Sequence, residues 1–260
     1  MAFAPFDLTG RVALITGGNG GIGLGMAEGL AQAGADVCIW GTNATKNSAA
    51  QERLQAHGTR IAAMQCDVSD EGAVERAFAA TVEQFGRVDG CFANAGVGGR
   101  NTAFDDMTTD EWRRIMAVNL DGAFWTFRAA ARHMRARAEA GDPFGRLVGT
   151  ASLAAISGQA RGEHYAATKG GLVSMMKALA VEYARYGVTA QTILPGWIET
   201  DMTQGAFDND KFVTNVLKRV PARRWGQPED FAGIAVYIMS TASSYHSAET
   251  FLIDGGYFVF

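Results

Sequence analysis

A strand-type apolar run at residues 11–16 breaks without a linker into Gly17-Gly18-Asn19-Gly20-Gly21-Ile22-Gly23, and helical apolar spacing follows over residues 24–31. No other feature of the chain limits its fold as strongly. Glycines at a strand-to-helix turn let the backbone approach an anion, and the helix behind them presents N–H groups with no partner inside the helix. Strand, glycine turn and helix in this order make the pyrophosphate corner of a dinucleotide-binding unit. Two registers fit, because glycine is so dense. Gly18, Gly20 and Gly23 satisfy G-x-G-x-x-G, whereas Thr16, Gly17, Gly21 and Gly23 satisfy T-G-x-x-x-G-x-G. A glycine turn without a ligand is the competing reading, and the flanking strand and helix weigh against it.

The alternation continues to the end of the chain. Further strands are expected at residues 36–41, 60–66, 88–93, 146–150, 188–194 and 250–253. Helices are expected at 44–57, 71–85, 110–137, 165–186 and 229–240, the long one broken in pattern near Asn119. Alternating units of this kind predict an α/β fold: a Rossmann-like, doubly wound parallel sheet of about seven strands with helices on both faces. A chain of 260 residues with 48% hydrophobic content can bury such a core. No linker, repeat or low-complexity tract interrupts it, so residues 1–260 are expected to form one domain. The less regular stretch 199–220 is expected to be a lid over the substrate.

Several function classes drop out. A net charge of −4 gives no basic footprint for nucleic acid. Arg128, Arg132, Arg135 and Arg137 cluster, but Glu139 and Asp142 follow, which reads as a solvated helix face. No apolar run reaches membrane-spanning length, and Pro5 and Asp7 stand where a signal peptide would need a basic start and an apolar core. A cytoplasmic protein without a membrane partner is expected. Cys38, Cys66 and Cys91 all fall on expected strands and read as buried reduced thiols. His57, His133, His164 and His246 lack ligand spacing, so no metal site is expected.

Tyr165 and Lys169 lie four apart on an expected helix and share a face, with Ser152 thirteen residues upstream. A phenol titrates near pH 10, too high for a general base at neutral pH. A cation about 4 Å away is worth roughly 4 kcal/mol at an effective dielectric near 20, enough to lower the phenol by up to about three pKa units. A hydroxyl such as Ser152 can then hold a substrate oxygen beside the phenol, an arrangement suited to proton transfer at an alcohol or carbonyl oxygen. A core tyrosine beside a surface lysine is the bland alternative.

With these residues in place, the sequence resembles the short-chain dehydrogenase/reductase family over almost its whole length. The T-G-x-x-x-G-x-G register, Asp67-Val68, Asn94-Ala95-Gly96, Asn119, Ser152, Tyr165 with Lys169, and Pro195-Gly196 followed by Thr200 appear in that family's order. Residues 224–230, Arg-Trp-Gly-Gln-Pro-Glu-Asp, and Asp254-Gly255-Gly256 also resemble it. The resemblance implies an NAD(P)-dependent oxidoreductase that interconverts a secondary alcohol and a ketone.

Roles follow residue by residue. Tyr165 is the implied general acid/base. Lys169 lowers its pKa and bonds the nicotinamide ribose, and Ser152 orients the substrate oxygen and stabilises charge developing on it. Asn119 interrupts an apolar helical run, and its amide can hold a water in a proton relay to Lys169. Gly17, Asn19, Gly21, Ile22 and Gly23 would hold the pyrophosphate. Asp67 and Val68 would meet the adenine, although Asp67 can instead cap the following helix near Ser69 and Asp70. Asn94, Ala95, Gly96, Pro195, Gly196, the backbone of Ile198, and Thr200 complete the cofactor set.

Cofactor choice rests on the end of the second strand, Ile39-Trp40-Gly41-Thr42-Asn43, where NAD readers place an acid. No acid is present and the usual arginines are missing. Thr42, Asn43 and Lys46 can hold a hydroxyl or a phosphate, and the balance tips to NADP(H). Arg100, Asn101, Arg161, Glu163 and His164 give the substrate side a mixed lining, His164 at the rim. A polar carbonyl compound, a sugar or polyol, and an acyl thioester all suit it. A 3-oxoacyl-thioester (acyl carrier protein) reductase is therefore the alternative, with Arg128 and Arg132 as its docking face. A non-catalytic cofactor-binding protein is the remote one. Apolar helices around Val118–Phe127 and Leu172–Val181, with the aromatic tail Tyr257-Phe258-Val259-Phe260, predict a homotetramer built on two two-fold contacts, as the family implies. The alternative is a dimer, or a monomer whose tail folds over its own lid.

Overall fold

Runs of valine, isoleucine, leucine and cysteine become strands hidden on both faces. The computed structural model describes residues 4–100 and 102–260, so Asn101 lies outside the described residues. The strands are β1 (Val12–Thr16), β2 (Asp36–Gly41), β3 (Ile61–Gln65), β4 (Gly90–Ala93), β5 (Gly145–Thr150), β6 (Val188–Pro195) and β7 (Thr250–Ile253). They form one sheet in the order β3-β2-β1-β4-β5-β6-β7, every pair parallel. β1, β4, β5 and β6 are buried along their whole length, as a sheet covered on both sides requires.

The helices are α1 (Gly21–Gln32), α2 (Ala44–Gln55), α3 (Glu71–Phe85), α4 (Thr109–Met116), α5 (Gly122–Glu139), α6 (Ala154–Ser157), α7 (Glu163–Tyr183), α8 (Gln204–Phe207), α9 (Asp210–Leu217) and α10 (Ala232–Met239). Residues alternate across the pleat and so feed two cores. Ile15, Ile39 and Phe92 pack with Met26, Leu30, Leu54 and Ile238 from α1, α2 and α10. Leu14, Trp40, Cys91 and Leu147 pack with Phe78, Phe127, Leu172 and Met176 from α3, α5 and α7. This is the expected doubly wound α/β architecture with helices on both faces.

Departures from expectation are local. The helix expected over 110–137 is two helices joined by a π turn, Ala117–Asp121, which carries the buried Asn119. The stretch 199–220 holds the short helices α8 and α9, steadied by a ring cluster in which Phe207 stacks on Trp225 at 4.5 Å and Trp197 meets Phe212 edge-on at 4.8 Å. Periodicity could not show α6, a single turn of four residues. Cys66 lies one residue beyond β3, and all three thiols are buried and unpaired.

The chain winds outward from β1 to β3 and then returns to β4 on the other side of β1. Loops leaving the carboxyl ends of β1 and β4 therefore diverge and open a crevice there.

Candidate active site

The end of β1 is tied to the end of β4 before any ligand is considered. The Thr16 hydroxyl accepts from the backbone N–H groups of Asn94 (3.0 Å) and Ala95 (2.9 Å), and the Asn94 amide donates to the carbonyls of Thr16 (3.1 Å) and Gly17 (3.3 Å). Asn94 thus fixes the glycine turn from across the crevice. Gly17 turns the chain with φ of 62°, and a Cβ on Gly23 would overlap the Gly17 carbonyl and the Asn94 amide. Both positions need glycine for this close approach.

The helix behind the turn is built to receive an anion. Side chains cap α2, α3 and α4: Asn43, Asp70 and Thr108 each accept a backbone N–H of the first turn. At α1 the cap residue is Gly20 and no side chain serves. Helices α5, α6, α7, α8 and α10 also lack a side-chain cap, but at α1 the residues Gly20, Gly21 and Ile22 line the cavity, where a pyrophosphate would satisfy the free N–H groups. The residues present fit a dinucleotide on that observation.

A cavity of about 520 Å³ opens from this point along the carboxyl ends of the strands. Its lining joins Gly17, Asn19, Gly21 and Ile22 to Asn94, Ala95 and Gly96, then to Ser152, Tyr165 and Lys169, and finally to Pro195, Gly196, Ile198 and Thr200. Gly20, Lys46, Val97, Gly98, Thr150, Ala151, Asp201, Met202 and Thr203 also line it. Of these, Gly98, Thr150, Ala151, Asp201 and Thr203 were not expected from the sequence. Only their closeness in sequence to Gly96, to the end of the fifth strand and to Thr200 could have flagged them.

Other expected residues lie outside the lining. Gly23 is in the floor, buried in α1. Asn43 engages its side-chain oxygen in capping α2, and the Thr42 carbonyl accepts from Gln65 (3.0 Å). Asp67 is exposed and holds a turn, one carboxylate oxygen accepting from the Ser69 backbone (2.9 Å) and hydroxyl (2.7 Å), while Asp70 caps α3. The carbonyl of Val68 lies against Gly122 in α5. Asn119 reaches Val97: its Oδ1 accepts from the Val97 N–H (2.8 Å) and its Nδ2 donates to the Val97 carbonyl (3.0 Å). Both ends of the amide hold the loop after β4, which leaves one N–H and one lone pair of the amide for the expected relay water.

The reactive trio differs from expectation in its electrostatics. Lys169 is buried and donates from Nζ to the Thr150 carbonyl at 2.8 Å, and its ammonium lies 5.5 Å from the centre of the Tyr165 ring. Burial depresses the Lys169 pKa from 10.5 to about 8. Burial likewise raises the Tyr165 pKa above its ordinary value, with the Ser152 hydroxyl opposing. The phenol thus stands above its ordinary value rather than below it as expected, because desolvation favours its neutral form. Ser152 Oγ accepts from the Ala154 N–H (3.2 Å), and its hydroxyl faces the Tyr165 phenol, whose pKa it lowers.

A second cluster supports the substrate wall. Glu111 accepts from the Arg100 backbone N–H and from Arg114, each at 2.9 Å, and Arg114 donates to the Gly98 carbonyl at 3.1 Å. Arg114 chiefly, with the Arg100 N–H, holds the Glu111 pKa down at about 2. His164 is fully buried, not at the rim as expected. Its Nε2 stands 3.6 Å from Glu111, and its ring fills the place a side chain on Gly99 would take. Loop residues 97–100 are thereby held one by one by Asn119, Arg114, His164 and Glu111.

Known proteins resemble this chain throughout. A family model described as enoyl-(acyl carrier protein) reductase matches residues 17–258. The gluconate 5-dehydrogenase of Gluconobacter oxydans is 34% identical over 251 residues, covering 96% of each chain. A 3-oxoacyl-[acyl-carrier-protein] reductase of Chlamydia pneumoniae is 36% identical over 250 residues, covering 96% of this chain and 97% of its own. Among solved structures, a gluconate 5-dehydrogenase from Burkholderia cenocepacia in complex with NADP and tartrate superposes with a TM-score of 0.92 at 35% identity, covering 99% of this chain and all of that one.

Proposed function

The chain belongs to the short-chain dehydrogenase/reductase family, and from that premise we propose that it interconverts a secondary alcohol and a ketone with an NAD(P) cofactor, Tyr165 passing the proton. Residues 1–260 act as one dinucleotide-binding and catalytic unit, with 199–220 as its lid. The observation that carries this reading is the single cavity that collects Ser152, Tyr165 and Lys169 with the uncapped start of α1.

The cofactor, when bound, supplies or accepts the hydride. Everything else falls to side chains. Glycines 17 and 21 and the first turn of α1 receive the pyrophosphate, and Lys169 retains two N–H groups for a ribose after bonding Thr150. Ser152 donates to the substrate oxygen. Tyr165, its pKa raised, keeps its proton at neutral pH and is a competent general acid for carbonyl reduction. Bound NADP in the Burkholderia relative and the absence of an acid at the end of β2 support NADP(H) as the favoured cofactor.

Gluconate-type polyhydroxy acids stand first among substrates. The relatives named for gluconate support them, and so do two exposed arginines close in sequence to lining residues, Arg100 after Gly98 and Arg161 before Tyr165. Arg161 is held at φ of 60°, a conformation that costs energy and so points to use. The second reading, a carrier-protein thioester reductase, draws support from the Chlamydia relative. Against it, Arg128 and Arg132 are engaged by Glu71 and Glu75 of α3 and do not form a free basic face.

Buried reduced thiols support a cytoplasmic setting, and among the described residues no helix is long and apolar enough to cross a membrane. Turnover on a panel of sugar acids, polyols and acyl thioesters with both cofactors ranks the substrates. Tyr165→Phe should lower kcat at least about a hundredfold while cofactor affinity holds. Wild-type kcat in that variant would overturn the mechanism.

A further inference from the structure

The residues lining the cavity carry three charged groups: Lys169, Lys46 and Asp201. Lys169 sits at the inner end, bonded to Thr150. Lys46 stands at the outer end, in the first turn of α2 behind β2, where dinucleotide folds present the adenosine ribose. Its backbone N–H donates to Asn43 (2.9 Å), which fixes the root of the side chain, and its ammonium reaches across the mouth to the carboxylate of Asp201. Asp201 follows Thr200, whose methyl lies against Gly21, so the carboxylate is held over the glycine turn. Nearby amides offer little to a phosphate. Asn19 donates to Asn47 (2.7 Å), and Asn47 donates to the carbonyls of Gly41 (3.0 Å) and Met64 (3.1 Å).

We propose that the Lys46–Asp201 pair sets the discrimination between NADP(H) and NAD(H), Lys46 binding the 2′-phosphate and Asp201 competing with it. The proposal rests on the dinucleotide reading above. A phosphate monoester carries more than one negative charge near neutral pH and draws an ammonium more strongly than a carboxylate does. Both side chains are more than half exposed, at 55% and 89%, so their pairing is weak, screened by salt and readily exchanged. When the ammonium turns to the phosphate, Asp201 is left as an unpaired like charge beside it. A 2′-hydroxyl makes no such demand, and the pair stays closed over the ribose. Asp201 therefore lowers affinity for the phosphorylated cofactor alone.

Calorimetric titration of the whole chain with NADPH, NADH, adenosine 2′,5′-bisphosphate and AMP tests this. Asp201→Asn should tighten NADPH and the bisphosphate about fivefold, and Lys46→Gln should weaken both about tenfold, the range of one charge-assisted hydrogen bond. NADH and AMP should change by less than about twofold in either variant. Both residues are exposed, and unchanged melting curves would certify the fold. If NADPH and NADH affinities move together, or if Asp201→Asn leaves their ratio unchanged, the proposal is overturned while the dinucleotide site stands. Failure of the wild-type chain to bind either cofactor would overturn the site and the proposal together.

Discussion

Replacing Lys169 by methionine should destroy activity and yet relieve the fold of a burden, in a way that depends on pH. The ammonium is buried and its pKa falls from 10.5 to about 8. At about 1.36 kcal/mol per pKa unit, that fall costs about 3 kcal/mol of stability at pH 7, where Lys169 is charged in both states. A folded pKa below the unfolded one means the unfolded chain holds the extra proton between pH 8 and pH 10.5, so stability rises with pH across that window. At pH 9.5 the remaining cost is about 1.4 kcal/mol. The figure of about 3 kcal/mol is net of whatever the bond to the Thr150 carbonyl gives the ammonium, and the neutral amine can still donate to the same carbonyl. Methionine fills a similar volume, loses that bond and carries no charge. At pH 7 the variant should match or modestly exceed the wild type. Between pH 7 and pH 9.5 the wild type should gain about 2 kcal/mol relative to it. Urea unfolding of both proteins at the two pH values reads this directly. A difference that stays flat across the window would refute the depressed lysine, and with it the account of a site governed by desolvation.

Gly41→Asp looks from the sequence like a switch toward NAD(H), but a Cβ there would overlap the Asn19 and Asn47 amides. Binding titrations should show both cofactors weakened, with stability lower by about 1–3 kcal/mol. Glu111→Gln keeps the size of the clamp on loop 97–100 but drops its charge. Steady-state kinetics should give a several-fold higher substrate KM, with cofactor affinity unchanged. The homotetramer is tested by light scattering. Phe124 on α5 and Val181 on α7 are exposed at 45% and 81%, and Val259 and Phe260 at 82% and 66%, apolar groups that a second copy would cover. A mass matching one 27.6 kDa chain would end that proposal.

Strand positions were legible because a parallel sheet buried on both faces demands unbroken apolar runs, and β2, α3 and β7 begin and end where the spacing of the sequence puts them. The carboxyl-end rule gathers Gly17, Asn94, Ser152 and Pro195 at one crevice without any knowledge of side-chain direction, but it places Asp67 there too, which instead holds a turn at Ser69. Direction is what the sequence withheld. Spacing of four put Tyr165 and Lys169 on one face, but whether the ammonium turns to the ring or to a carbonyl depends on Thr150, nineteen residues upstream in chain order. His164 is a similar case. As a neighbour of Tyr165 it points elsewhere, and only the missing side chain at Gly99 shows where its ring is seated.

Asn119 joins these threads. A polar residue in an apolar helical run predicts a break, and the π turn at Ala117–Asp121 is that break. The widened turn aims the amide at Val97 rather than at solvent, where it accepts and donates like one rung of a sheet. Gly96 lies between, close enough that a Cβ there would stand 3.3 Å from the Asn119 oxygen and 3.5 Å from the Lys169 ammonium. Asn119 therefore acts on Lys169 through the loop it fixes: it holds the backbone that forms the roof over the lysine and one wall of the substrate site.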